Sequence, residues 1–442
     1  MTLPSQPESY LYPPENFLAR LRFLGPGLIL SASIVGSGEL IATTLLGAKG
    51  GFIALWVILV SCLIKVAIQV EFGKNAILSE RSLMGDLNSW SHAPSGHWSI
   101  WAIGILTLFK ILQLGGMIGG AALALSLIFP VLPIGLSLAI LGLILPFFFV
   151  KNYYPLIEKT ASFMVFGFTI FTIISFIAVF FTPYAITWEE VSSGLKFQLP
   201  QELLFVAIGA FGITGVASDE IIAYTYWCKE KGYARYAGPN DGSAEWIIRA
   251  QGWISIMKLD ALVAMMIYTL VTAAFYLLGA SILYGKESLP EGTDLIVSLS
   301  GIYTESLGDG AKFIYLVGGF FALYSSVFAT LAYWTRLFPD ILIHLRWIKE
   351  GNSNLFVRVL AFGFPLAWMV VFWVVQQPGA LVLIGGLIGS VLLLITVYIG
   401  INFRRKNIAL GFGNSLLSKL FFWLSVASIL GVSIYGIIQA II

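Results

Sequence analysis

Apolar runs, each long enough for a helix to cross a bilayer, alternate with short polar connections along almost the whole chain. A hydrocarbon core needs about 20 apolar residues per helix, and about eleven segments meet that length. They lie near residues 22–46, 52–78, 98–128, 131–150, 157–181, 202–228, 253–283, 310–338, 355–375, 379–402 and 416–440. Pro and Gly punctuate the connections, at Pro130, Pro183, Gly238-Pro239, Pro290 and Pro378-Gly379 among others. Continuous runs rather than period-two alternation predict helices and not a barrel, since lipid offers the backbone no hydrogen-bond partner.

Two of the runs are interrupted at mid-membrane depth. Span 1 reads apolar up to Val35, then Gly36-Ser37-Gly38-Glu39, then apolar again. Each Gly costs a helix about 1 kcal/mol relative to Ala, and an intact helix would hold Glu39 in hydrocarbon. The expected solution is an unwound stretch lining a polar cavity, in which backbone groups and Glu39 coordinate a solute. Span 6 repeats the pattern with Gly209, Gly212, Thr214 and Gly215, followed by Ser218-Asp219-Glu220, a run suited to starting a fresh half-helix. Spans 1 and 6 are five apart. Interrupted helices at matching positions of two five-span halves point to a transporter with its site at the repeat interface. Further polar groups sit within spans 2, 3 and 7, namely Lys65, Gln69 and Glu71, Lys110 and Gln113, and Asp260. Each is expected to face the bundle interior or reach an aqueous surface, with Lys65–Glu71 and Lys110 with a carboxylate of span 1 or 6 as candidate pairs.

Composition agrees with lipid as the solvent. Of 442 residues 58% are hydrophobic and 11% charged, and the mean hydropathy is +0.90; a soluble protein carries roughly 25% charged residues. Most Lys and Arg fall on connections that share one side with the N-terminus, such as Arg20, Arg81, Lys151, Arg235, Arg346 and Arg405. Lys49, Lys196, Lys286 and Lys312 fall on the other side. The bias predicts a cytoplasmic N-terminus and, with an odd number of spans, an external C-terminus in a protein of the cell membrane. The basic residues thus serve topology, and no nucleic-acid partner is expected. Cys62 and Cys228 cannot form a disulfide framework, and His92, His97 and His344 read as solvated connection residues. No phosphate-binding loop, redox cysteine pair, histidine metal motif or Ser-His-Asp constellation is visible, so no catalytic residue, enzymatic activity or cofactor is expected.

The expected organisation is a cytoplasmic tail over 1–21, a first five-helix repeat over 22–181 and an extracellular linker over 182–201. A second, inverted repeat over 202–402 and a loop with an eleventh helix over 403–442 complete it.

The order of motifs resembles the Nramp (natural resistance-associated macrophage protein) family of proton-coupled divalent-metal transporters, from about Gly25 to the end of span 9. The resemblance is carried by Gly25-Pro26-Gly27 and by Gln69 with Gly73. Ile118-Gly119-Gly120-Ala121-Ala122, Asp260 with Ala273-Ala274, and Ala322-Leu323-Tyr324-Ser325-Ser326 extend it. It implies a LeuT-like inverted repeat with broken helices 1 and 6, working by alternating access. The site chemistry departs from that family. Its Asp-Pro-Gly-Asn in span 1 is Gly36-Ser37-Gly38-Glu39 here, and its span 6 Met falls on Ile213 or Val216. Its acidic pair in span 3 is replaced by Gln113 to Gly116, and its span 8 Gln by Tyr324.

The candidate site therefore comprises Gly36, Ser37, Gly38, Glu39, Thr214, Gly215, Ser218, Asp219, Glu220 and Tyr324. Glu39 and Asp219 are the candidate metal ligands; Glu39, Glu220, Asp260 and Lys110 are candidates for proton or ion coupling. Without a thioether the donor set for a small inorganic cation is hard, which argues against selection of softer transition metals such as Mn, Fe and Cd over Ca and Mg. A second reading keeps the fold and changes the cargo. Gly36-Ser37-Gly38 is similar to the break of amino acid and polyamine permeases, where amides at a half-helix N-terminus bind a carboxylate of a small organic solute. Oligomeric state is left open by the sequence.

Overall fold

The computed structural model describes residues 10–79, 81–91, 93, 95–149, 154–285, 309–413 and 415–441. Among the described residues every regular element is helical. Nine helices among the described residues are long and apolar enough to cross a bilayer: Leu55–Leu78 (span 2), Trp98–Ile128 (span 3), Tyr154–Val179 (span 5), Gln201–Lys231 (span 6), Ala244–Leu283 (span 7), Tyr315–His344 (span 8), Glu350–Val375 (span 9), Pro378–Ala409 (span 10) and Leu416–Gly436 (span 11). Span 4 is the shorter apolar helix Ile134–Phe149. Span 1 is composite, an α-helix over Pro26–Ile34, a π-helix over Val35–Thr43 and an α-helix over Thr44–Gly50.

Span 1 is thus interrupted where expected but not in the expected form. Its backbone stays helical through Gly36 to Glu39 with the wider π spacing instead of unwinding. π-turns of this kind concentrate at functional sites. The reason for glycine at 36 is proximity: a Cβ there would lie 2.0 Å from the Ala322 carbonyl and 2.1 Å from Ser326 Oγ of span 8. Span 6 breaks outright, its first half ending at Ile213 and its second starting at Ser218.

The packing repeats with a shift of five spans. Pro26–Ile34 lies on span 5 as Leu204–Ile213 lies on span 10. Thr44–Gly50 lies on span 7 as Ser218–Lys231 lies on span 2, and span 3 meets span 10 as span 8 meets span 5. Helices in lipid gain little from apolar burial against one another, so close backbone approach through small residues carries the association. At the span 6–span 10 contact, a Cβ on Gly212 would stand 1.9 Å from the Gly386 carbonyl, and one on Gly386 would stand 2.2 Å from that of Gly209.

Polar ties gather at the end of the bundle where span 1 begins and span 6 finishes. Lys231 of span 6 pairs with Glu158 of span 5 at 2.6 Å, and Arg336 of span 8 holds Glu230 of span 6 through two bonds, one at 2.9 Å. The Tyr226 hydroxyl donates to Asp340 of span 8 at 2.7 Å. Two histidines differ from expectation. His97 is buried and caps span 3, its Nδ1 accepting from the Ser99 amide at 3.3 Å. His344 ends span 8 beside Asp340 at 3.1 Å. His92 lies outside the described residues.

The glycine contacts give a direct test. Gly212→Ala should lower thermal stability in detergent by about 1–3 kcal/mol through overpacking against Gly386. Gly363→Ala, at a span 9 position with nothing within 4 Å, should leave it unchanged or raise it. Equal melting temperatures for the two variants would mean that spans 6 and 10 do not approach this closely.

Candidate functional site

Span 6 supplies the break and its charges. Thr214 turns extended at ψ 147° after the last helical residue, and Gly215 takes φ +61° with its Cα face against Cys62, where a Cβ would come within 2.7 Å of that residue's Cα. Both the positive φ and the contact require glycine. The second half-helix opens at Ser218, which places Asp219 and Glu220 in its first turn. The positive end of the helix dipole favours carboxylates there. All residues from Ile213 to Glu220 are buried.

The two adjacent carboxylates have different partners. Asp219 forms an ion pair with Lys110, both side chains buried. Lys110 sits at the join of Trp98–Phe109 and Ile111–Ile128, where span 3 departs from α-geometry with ψ −1°. Glu220 reaches span 1 instead, and its Oε1 accepts from the Ser33 hydroxyl at 2.9 Å. Its Oε2 is buried with no hydrogen-bond partner among the described residues. The Tyr333 hydroxyl of span 8 is likewise buried and unpartnered among them, within electrostatic reach of both carboxylates. The structure therefore brings together Ser33, Lys110, Asp219, Glu220 and Tyr333 from spans 1, 3, 6 and 8.

The remaining candidates are distributed more widely. Gly36 belongs to the span 1–span 8 contact described above. The backbone of Ser37, Gly38 and Glu39 runs within the π-helix, while their side-chain positions lie outside the described residues. Thr214 donates to Ser61 Oγ of span 2 at 2.8 Å, and Ser218 donates to the Gly389 carbonyl of span 10 at 3.1 Å. Tyr324 is tied to span 4, its hydroxyl donating to the Leu141 carbonyl at 3.2 Å. Asp260 is also elsewhere. It accepts from the amides of Gly25 and Gly27 at 2.8 and 2.6 Å and from the Tyr224 hydroxyl at 2.9 Å. In that position it satisfies the orphan amides at the start of span 1 and joins span 7 to it.

One expected pair is not formed. Lys65 does not meet Glu71; its ammonium donates to the carbonyls of Phe211 and Thr214. Glu71 pairs with Lys74 and with Arg404 of span 10, each at 3.0 Å. The other expectation holds, Lys110 taking its carboxylate from span 6. Ser33 and Tyr333 are not marked by the sequence, where a single hydroxyl in an apolar run carries no signal of its own. Among the described residues no three His, Cys, Asp or Glu side chains cluster as metal ligands. A cation here would be held by few carboxylates, with hydroxyls and carbonyls completing the shell, a hard donor set.

Comparison with known proteins places this geometry. The profile of the natural resistance-associated macrophage protein-like family matches residues 27–439. A divalent metal cation transporter MntH of Staphylococcus haemolyticus is 25% identical over 279 residues, 62% of this chain and 58% of that protein. One from Staphylococcus aureus is 24% identical over 276 residues, 61% of this chain and 57% of that protein. The matched stretch thus spans under two thirds of these relatives. A crystal structure of the Eremococcus coleocola manganese transporter superposes with a TM-score of 0.75 at 15% identity, covering 99% of this chain and 90% of that one. Mhp1, a nucleobase-cation-symport-1 family transporter, superposes with a TM-score of 0.55 at 12% identity, over 94% and 92% of the chains. These likenesses show the fold, a LeuT-like inverted repeat with interrupted helices 1 and 6. Through its scaffold, and in spite of its altered span 1 and span 6 motifs, this integral membrane protein belongs to the natural resistance-associated macrophage protein-like family.

Proposed function

We infer that the protein is a secondary-active transporter that carries a small divalent cation across the cell membrane by alternating access. Its N-terminus is cytoplasmic and its site lies where the π-helix of span 1 faces the break of span 6. The relatives named as divalent metal cation transporters and as a manganese transporter support the class of cargo. The observation that carries the reading is the state of Glu220, with one oxygen committed to Ser33 and the other buried without a partner among the described residues. A desolvated anionic oxygen with unused lone pairs costs several kcal/mol unless a proton or a metal cation completes it, and a divalent cation also uses the lone pairs.

Charge fits the same cargo. Lys110 neutralises Asp219, so the ligands proposed for the cation are Glu220 and Glu39, whose combined charge matches one divalent ion. Ser33 orients Glu220, and no residue from Ile213 to Glu220 offers sulfur. The site is hard, and it binds manganese and magnesium without favouring cadmium.

Calorimetric titration of the purified protein with manganese, magnesium, cadmium and a panel of amino acids tests this. Manganese should bind, and Glu220→Gln, which keeps a hydrogen-bonding side chain but removes the charge, should weaken it by about tenfold or more, the equivalent of 1.4 kcal/mol. Binding of an amino acid with no response to any metal would overturn the reading. Cadmium should not bind much more tightly than magnesium; strong selection for cadmium would contradict a hard site. The Lys110–Asp219 pair has its own signature. Lys110→Met alone leaves a buried uncompensated carboxylate and should cost about 3–5 kcal/mol of stability. Adding Asp219→Asn to it should restore most of that loss, and a double variant no more stable than the single one would show the pair to be unimportant for folding.

A further inference from the structure

A helix that ends inside the membrane leaves its last carbonyls without amides to bind, and its aligned dipoles put roughly half a negative elementary charge there. The first half of span 6 ends in this way at Ile213. The carbonyls of Phe211 and Thr214 converge on one point beside span 2, where the Ser61 hydroxyl stands 3.2 Å from each. The Thr214 hydroxyl closes the group, 2.8 Å from Ser61 Oγ. Carbonyl and hydroxyl oxygens turned inward and kept from water form the kind of donor set that replaces the hydration shell of a cation.

A cation is present at this point, and it is covalently attached. Lys65, one helical turn after Ser61 on span 2, brings its ammonium onto the Phe211 carbonyl and to 2.8 Å from that of Thr214. The Phe211 ring contributes its face, with its centroid 4.5 Å from Nζ. Ser61, Lys65 and Thr214 are each 0% exposed and Phe211 2%.

We propose that the end of this half-helix is a monovalent-cation site that the chain fills with its own Lys65 ammonium. Its ligand class is an ammonium or an alkali ion, bound by neutral oxygens, and it is distinct from the Ser33–Glu220 locus. A diffusible ion would have to be captured and released with the site. A tethered one stays, so the negative end of the half-helix is neutralised whatever the occupancy of the transport site, and no alkali ion is needed to hold the break together. This assignment stands whether or not the cargo is a metal.

Chemical rescue tests it. Lys65→Ala keeps the oxygens and removes the ammonium. With N-methylglucamine as the only buffer cation, its melting temperature should fall by roughly 5 °C or more. Methylammonium or sodium should recover at least half of that fall, and tetramethylammonium at equal ionic strength should recover none. Lys65→Met, which fills the volume with apolar atoms, should lose stability without being rescued. Wild-type protein should melt at the same temperature in all four cations. The proposal is overturned if Lys65→Ala is equally unstable in every salt, or if Lys65→Met is rescued as well as Lys65→Ala. It is also overturned if sodium stabilises the wild type over N-methylglucamine, a comparison that needs no variant to fold.

Discussion

Stopping a helix halfway through a bilayer uncovers backbone groups that lipid cannot satisfy, and the architecture around span 6 is arranged about that constraint. The carbonyl end of the first half is met by Lys65, Ser61 and Thr214. At the amide end of the second half, two carboxylates are stabilised by the helix dipole and then divided, Asp219 to Lys110 and Glu220 to Ser33. Span 1 meets the same constraint more conservatively, through π-spacing that keeps its hydrogen bonds within the helix. The asymmetry follows from the neighbours. Ser325 and Ser326 of span 8 already donate to the carbonyls of Ala32 and Ser33, whereas the carbonyls of span 6 are met by an ammonium.

The consequence for chemistry is that both buried lysines beside the break are committed, Lys65 to carbonyls and Lys110 to Asp219. Spans 2 and 3 each contribute a lysine to span 6, and their positions on opposite sides of the break leave Glu220 as the described carboxylate with an oxygen to spare. A family scaffold is thereby combined with an unfamiliar donor set, and the scaffold alone would not have disclosed the change.

Much of the fold could be read from the chain before any coordinates. Segment lengths located the spans, and glycine clusters beside carboxylates located both interruptions, because each is a local property of the helix. What was illegible depended on distant partners. Glycine content at 36–38 says that a helix is weak there, but neither the π-spacing nor the Ala322 carbonyl pressed against Gly36 can be read from it. Asp260 looked like a coupling group, yet it serves the amides of Gly25 and Gly27, 235 and 233 residues away. The expected Lys65–Glu71 pair failed on simple geometry, since six residues turn a side chain by about 240° around the helix axis. Ser33 and Tyr333 were invisible because one hydroxyl in an apolar stretch has no pattern.

The second half of span 6 runs from Ser218 to Lys231, 14 residues, or about 21 Å. Its first turn holds Asp219 and Glu220, and its last carries Glu230 and Lys231, gripped by Arg336 and Glu158. With no proline or glycine between these points, the segment behaves as a stiff rod. A tilt imposed at the carboxylate end of such a rod would displace its far end, where ionic clasps to two different neighbours lie. The carboxylates at mid-depth and the clasps at the far end are in this way joined by one uninterrupted helix, so a rigid tilt of it would reach both with no relay of intermediate side chains.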